Sequence, residues 1–132
     1  MIVKQFPLAL LEYDESKNIL FFRVKQDQEV DVDQIKEMLS YTEEFIGKKR
    51  HSCVVDFGGS LTSTTEARKI YADSGYLESY RIADAFIVRS LGVRIVANFF
   101  INVTKPKVKT KLFVSDKEAV AWLESVMIKE SV

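Results

Sequence analysis

A chain of 132 residues with 47% hydrophobic and 29% charged side chains has the size and balance of one folded domain, which excludes a disordered chain. Lys and Arg (19) balance Asp and Glu (19), so there is no overall field to hold a polyanion, and nucleic acid is excluded as the main partner. A single cysteine, Cys53, and a single histidine, His51, exclude an internal disulfide and make no metal set, so no cofactor or metal is expected.

The run Phe6-Pro7-Leu8-Ala9-Leu10-Leu11 is too short for a signal-peptide core and leads straight into Tyr13-Asp14-Glu15. Instead, Val3 to Tyr13 reads as a first strand, and Pro7, which lacks an amide donor, argues for an edge position. Asp14 to Asn18 is turn chemistry, and Ile19 to Lys25 reads as the second strand of an antiparallel hairpin. Asp31 and Gln34 have capping-box spacing ahead of a helix whose buried face carries Val32, Ile35, Leu39, Thr42 and Ile46. Gly47 suits its C-terminal stop.

Cys53 to Phe57 reads as a third strand ended by Gly58-Gly59, with Cys53 as an inert core thiol. Ser63-Thr64-Thr65-Glu66 matches the S-x-x-E capping box before a second helix, which Ser74-Gly75 closes. Ala85 to Val88, apolar on both faces, reads as an interior parallel strand. A third helix covers about Leu91 to Val103, limited by Pro106. Lys111 to Val114 is a last strand, and Ser115-Asp116-Lys117-Glu118 opens a C-terminal helix facing inward with Ala119, Val120, Leu123, Val126 and Met127. The order β-β-α-β-α-β-α-β-α predicts one α/β domain over 1–132: a mixed five-stranded sheet with an N-terminal antiparallel hairpin and about four helices on its two faces. The longest apolar stretch, Ile95 to Val103, is broken by Asn98 and Asn102 and falls far below the ~20 residues that span a bilayer. A cytoplasmic protein with no transmembrane segment is expected.

Four segments carry a family resemblance: Val55-Asp56-Phe57-Gly58; Glu66-Ala67-Arg68; Val96-Ala97-Asn98-Phe99-Phe100 with Lys105-Pro106-Lys107; and Lys111-Leu112-Phe113-Val114 with Glu118-Ala119-Val120-Ala121-Trp122-Leu123. On these the chain resembles the STAS-like domains, which include SpoIIAA-type anti-sigma factor antagonists and bacterial domains labelled STAS/SEC14-like; within them it is most similar to an uncharacterised bacterial branch. The resemblance implies a SpoIIAA-like fold and a non-enzymatic regulatory module that binds a protein partner. In the antagonists, a kinase phosphorylates a serine in an Asp-Ser-Ser-Gly stretch at the start of the helix after the third strand. The corresponding place here is Ser63, Thr64 and Thr65, which keeps the hydroxyls without the Asp and Gly. The alternative that the SEC14 label implies is a carrier of a small apolar ligand or lipid.

Ligands of open α/β sheets sit beyond the carboxyl ends of the parallel strands. That edge would collect Asp56, Gly58, Gly59, Ser63, Thr64, Thr65, Arg89 and Ser90, where helix N-termini and Arg89 favour an anion. Simple N-capping is the stronger reading of Ser63, and stronger still of Ser115. Gly58-Gly59 lacks the Lys and Ser/Thr of a P-loop. Asp56 has no second carboxylate, His or nucleophile tied to it by sequence, and His51 would begin its strand at the end opposite Ser63 and Ser90, so no catalytic residue is assigned.

The helix from Leu91 to Val103 is apolar over most of its circumference, with Arg94, Asn98 and Asn102 as a stripe and Phe99 beside it. Three readings stay open for it: core packing, a homodimer or partner interface, and a wall of a ligand pocket. Lys105, Lys107, Lys109 and Lys111 alternate into a strand, which protects a sheet edge or meets an acidic partner.

Overall fold

Alternating apolar residues bury Ala9, Leu11 and Tyr13 from one strand, and the same face continues through its neighbours. In the computed structural model, which describes residues 1–25, 28–57 and 61–131, the register aligns Leu11, Phe22, Val55, Phe86 and Leu112 across five strands as one apolar row. The strands are β1 (Ile2–Gln5), β2 (Ala9–Asp14), β3 (Ile19–Val24), β5 (His51–Asp56), β7 (Arg81–Ile87) and β8 (Lys109–Phe113), in that spatial order. β1, β2 and β3 pair antiparallel, whereas β3, β5, β7 and β8 pair parallel. A separate parallel pair joins β4 (Gln28–Val30) to β6 (Leu61–Ser63).

Three helices cover one sheet face: α1 (Val32–Ile46), α2 (Thr65–Ala72) and α4 (Leu91–Phe99), the last continued by a π-helical turn, Phe100–Thr104. On the other face α5 (Asp116–Ser131) presses Ala119 and Leu123 onto Phe21, Val54 and Ala85. β5 lies between two covered faces, and all six of its residues are buried.

Local chemistry sets most helix ends. Asp31 and Gln34 form the expected reciprocal capping box. Gly47 ends α1 at φ +67°, a left-handed backbone that a Cβ would strain. Ser115 caps α5 through the Glu118 amide at 3.3 Å.

Four features differ from the sequence expectation. The stretch from Val3 to Tyr13 is two strands, because Phe6 turns inward to stack on Tyr41 at 4.3 Å and its amide donates to the Ala9 carbonyl across Pro7. β1 is thereby the sixth strand of the main sheet and its edge. The cap of α2 is Thr64, not Ser63: the Thr64 hydroxyl accepts from the Ala67 amide at 3.1 Å, while Ser63 ends β6. Ser74 serves two helices: its amide donates to the Tyr71 carbonyl at 3.3 Å just past the end of α2, and its hydroxyl caps a further short helix, α3 (Gly75–Tyr80), by accepting from the Leu77 amide.

Candidate functional site

β5 and β7 end side by side, and their ends bring Asp56 against two guanidiniums. Arg89 donates to Asp56 at 2.9 and 3.4 Å, and Arg23 donates to it at 3.2 Å. Arg23 also bonds Glu12 at 2.7 Å and Asp116 at 2.9 Å. Burial disfavours the Arg23 charge, but the carboxylates of Asp116 and Glu12 outweigh it and hold the group more firmly protonated than a free arginine. Two cations thus face three carboxylates. Asp56 is a clamped structural anion rather than a free base, and Arg89 is already committed to it. Ser90 caps α4 by accepting from the Val93 amide at 3.2 Å. Gly58 and Gly59 lie outside the described residues.

The start of α2 forms a second, separate cluster. Arg68, one turn into the helix, reaches back: its NH1 donates to the Ser63 carbonyl at 2.6 Å and hydroxyl at 2.9 Å, and its NH2 donates to the Thr65 hydroxyl at 3.2 Å. Arg68 has no carboxylate partner among the described residues, and its buried Nε has no hydrogen-bond partner there. Of the three hydroxyls, Thr64 is spent on the cap, Ser63 is half-buried under Arg68, and Thr65 is exposed. Sequence reasoning missed Arg68. The signal was its spacing, since a residue three or five places beyond Thr65 or Ser63 on a helix lies above the N-terminal turn.

Behind Arg68, between the sheet and helices α1, α2 and α4, lies a cavity of about 100 Å³ with an apolar lining that includes Phe22, Val30, Met38, Val55, Phe86 and Phe100. Beside it sits a buried polar network. Arg81 pairs with Asp84, Tyr71 donates to Asp84 at 2.7 Å, and the Arg81 Nε donates to the His51 Nε2 at 2.9 Å. The other ring nitrogen of His51 lies 2.8 Å from the Lys49 carbonyl, which fixes the proton on Nδ1. Loss of solvation, and then the Arg81 charge, drive the His51 pKa down to about 3. Burial pushes the Cys53 thiol up to about 12. Among the described residues, no three His, Cys, Asp or Glu side chains gather as metal ligands would, and no helix is long and apolar enough to cross a membrane.

Arg94, Asn98, Phe99 and Asn102 are all exposed on α4 and its π-helical turn. The sequence stripe of Arg94, Asn98 and Asn102 is joined by an apolar one: Leu91, Ile95, Phe99 and Val103, spaced four apart, are 49–74% exposed. Val93, Ala97 and Phe100 point into the core instead. Lys109 and Lys111 lie on β8, the outer parallel strand, where lysines blunt an edge.

An antiparallel β1-β2-β3 unit feeding a parallel β3-β5-β7-β8 sheet, with α1, α2 and α4 on one face and α5 on the other, is the arrangement of a SpoIIAA-like fold. In agreement, the chain is similar to an uncharacterised protein of the DUF3478 family from Shewanella loihica PV-4, described as having a SpoIIAA-like fold: TM-score 0.58 and 18% identity, over 87% of this chain and 91% of that one. It is also similar to the Bacillus cell fate determinant SpoIIAA in its phosphorylated form, at a TM-score of 0.48 and 17% identity, over 86% of this chain and 97% of that one. No curated protein matches it in sequence. Residues 13–127 match a domain of unknown function, DUF7793, and the chain belongs to that family.

Proposed function

We propose that this domain is a regulatory interaction module that meets a protein partner through the start of α2, with Thr65 as the residue whose modification sets the contact. The observation that carries this reading is the half-buried Arg68 guanidinium, which holds the Ser63 and Thr65 hydroxyls without any carboxylate partner among the described residues. A phosphate on Thr65 would sit at the first residue of α2, where free amides and the helix dipole favour an anion. Arg68 would then exchange a neutral hydroxyl for a charge-assisted bond and release Ser63. The shape and charge of the exposed edge both change. Ser63 and Thr64 are the secondary candidates, since each hydroxyl already serves the local structure.

The module acts by binding. Its lone thiol is buried and protonated, its lone imidazole is walled in and neutral, and Asp56 is clamped between two arginines. The neighbouring strand-end residues Asp56, Arg89 and Ser90 flank the contact as a rigid support, and a cytoplasmic setting fits the free thiol. The exposed stripe on α4 is the surface on which a homodimer would form, and Ile95→Glu would abolish any concentration-dependent sedimentation.

The test is intact mass and peptide mapping of the protein from its native host, paired with pull-downs using Thr65→Asp and Thr65→Val. The proposal expects a phosphate at Thr65, and a partner recovered with Thr65→Val but weakened with Thr65→Asp. An unmodified chain whose partners are indifferent to both substitutions would sink it.

A further inference from the structure

We propose that the cavity beneath α2 and α4 is a binding site for a compact apolar carboxylate, a single ring or short branched chain whose carboxylate is taken by Arg68. Three observations converge on this class. The first is size. A space of about 100 Å³ approaches the roughly 150 Å³ of an engineered apolar cavity that binds benzene, and falls well below the roughly 300 Å³ where drug-sized pockets begin. It admits a ring and excludes a lipid chain.

The second is the wall. Aromatic rings from β3 and β7, from Phe57 just past β5, from α2 and from the π-helical turn, with aliphatic side chains from α1 and β4, leave almost no polar surface facing inward. Such a space stays dry when empty and gains by taking an apolar body.

The third is an unmet donor in the wall itself. Arg68 is part of the lining, and its Nε is shielded from solvent without a hydrogen-bond partner among the described residues. The NH1 of the same guanidinium is tied to Ser63 and one NH2 hydrogen to the exposed Thr65 hydroxyl, so a ligand on the side formed by Nε and NH2 takes the unmet Nε hydrogen and the second NH2 hydrogen. That side is the planar fork that takes a carboxylate with two parallel hydrogen bonds. The other cation on the wall, Arg81, already has its charge paired with Asp84 and donates to Tyr71 and His51, so it is the weaker anchor for an anion. A buried donor of this kind is costly to leave unmet, and a carboxylate meets it while supplying a counter-charge that Arg68 has from none of the described residues.

The site stands apart from the Thr65 reading, although the two share Arg68: a carboxylate held there would compete with a phosphate on Thr65 for the same fork. The phosphate mapping reads the edge and the experiment below reads the cavity, so either can fail alone.

The experiment is an amide NMR titration of the whole chain with two probes, benzoate and benzene. Both should give saturable shifts at residues around the cavity, including Val93 and Ala97. Arg68→Met should weaken benzoate at least tenfold and leave benzene within about twofold, which also shows that the cavity has survived the substitution. Arg68→Lys, which keeps the charge but lacks the fork, should behave as Arg68→Met does. The proposal is overturned if neither probe gives a saturable shift, if benzene binds and benzoate does not, or if benzoate binds both variants as it binds the parent.

Discussion

Acidifying the protein from pH 7.5 to pH 5.0 should remove about 2 kcal/mol of folding stability through His51 alone. In the folded chain, a proton added to the imidazole would have to occupy Nε2, which already accepts from the Arg81 guanidinium at 2.9 Å in a buried setting. The folded pKa is accordingly driven down to about 3, whereas the unfolded chain takes up its proton near the ordinary 6.5. Between these values the unfolded state binds more protons than the folded one, so stability is fully present above pH 6.5 and declines as the pH falls. At pH 5.0 the loss is about 2 kcal/mol and at pH 4.0 about 3 kcal/mol. The pH 5.0 figure is insensitive to the folded value: a folded pKa near 4 rather than 3 still leaves about 2 kcal/mol.

Because the chain has one histidine, a variant at that position separates its effect from the carboxylates and the α-amino group, which also titrate across this range. Urea unfolding at a series of pH values, run beside His51→Gln, measures it directly. The glutamine offers an acceptor to Arg81 and cannot take the proton, so its stability should be flatter with pH, whatever its absolute level. The ring proton resonances of His51 should also stay unchanged down to pH 5. A stability that is level between pH 7.5 and 5.0, or an equal fall in the variant, would refute the account.

Asp84→Asn should cost about 3–5 kcal/mol in urea unfolding, because it leaves the Arg81 charge buried without its partner; replacing both by apolar residues should cost less than the single change. Thr64→Ala should cost about 1 kcal/mol as the loss of a helix cap, and Ser63→Ala should cost less; the reverse order in thermal unfolding would put the start of α2 one residue earlier. Cys53 should resist a thiol reagent in the native protein and react on unfolding, since it is fully buried and its pKa is pushed up to about 12.

Where a feature depends on residues three or four apart, it was legible. The Asp31–Gln34 box, the Gly47 stop, the Ser115 cap and the inward face of α5 all appear as the spacing predicts. The cap of α2 slipped by one residue for a reason that local spacing does not contain. Three hydroxyls in a row each could cap, and Arg68 together with the pairing of β6 to β4 takes Ser63 into the strand. Pro7 was read for its missing amide, but the turn there also needs the Tyr41 ring, 35 residues on, to receive Phe6.

The candidate site was half legible. Sequence collected the hydroxyls of α2 and the charges Asp56 and Arg89 at one sheet edge, because topology alone orders strand ends. It had no means of dividing them into two clusters. Arg23 joins Glu12, Asp56 and Asp116 from 11, 33 and 93 residues away, and that pairing turns an anion-friendly edge into one whose cations are already taken by carboxylates. Arg81 and Asp84 precede the strand that sequence placed at Ala85 to Val88, yet they lie within β7 and are buried, with His51 from β5 and Tyr71 from α2 bonded to them. The sequence by itself determined the class of fold, the element order and most helix ends, since these follow from short-range periodicity and hydrogen bonding. The ion clusters, the buried network, the cavity and the unmet donor of Arg68 were decided only by tertiary structure, because each is made of groups that meet nowhere along the chain.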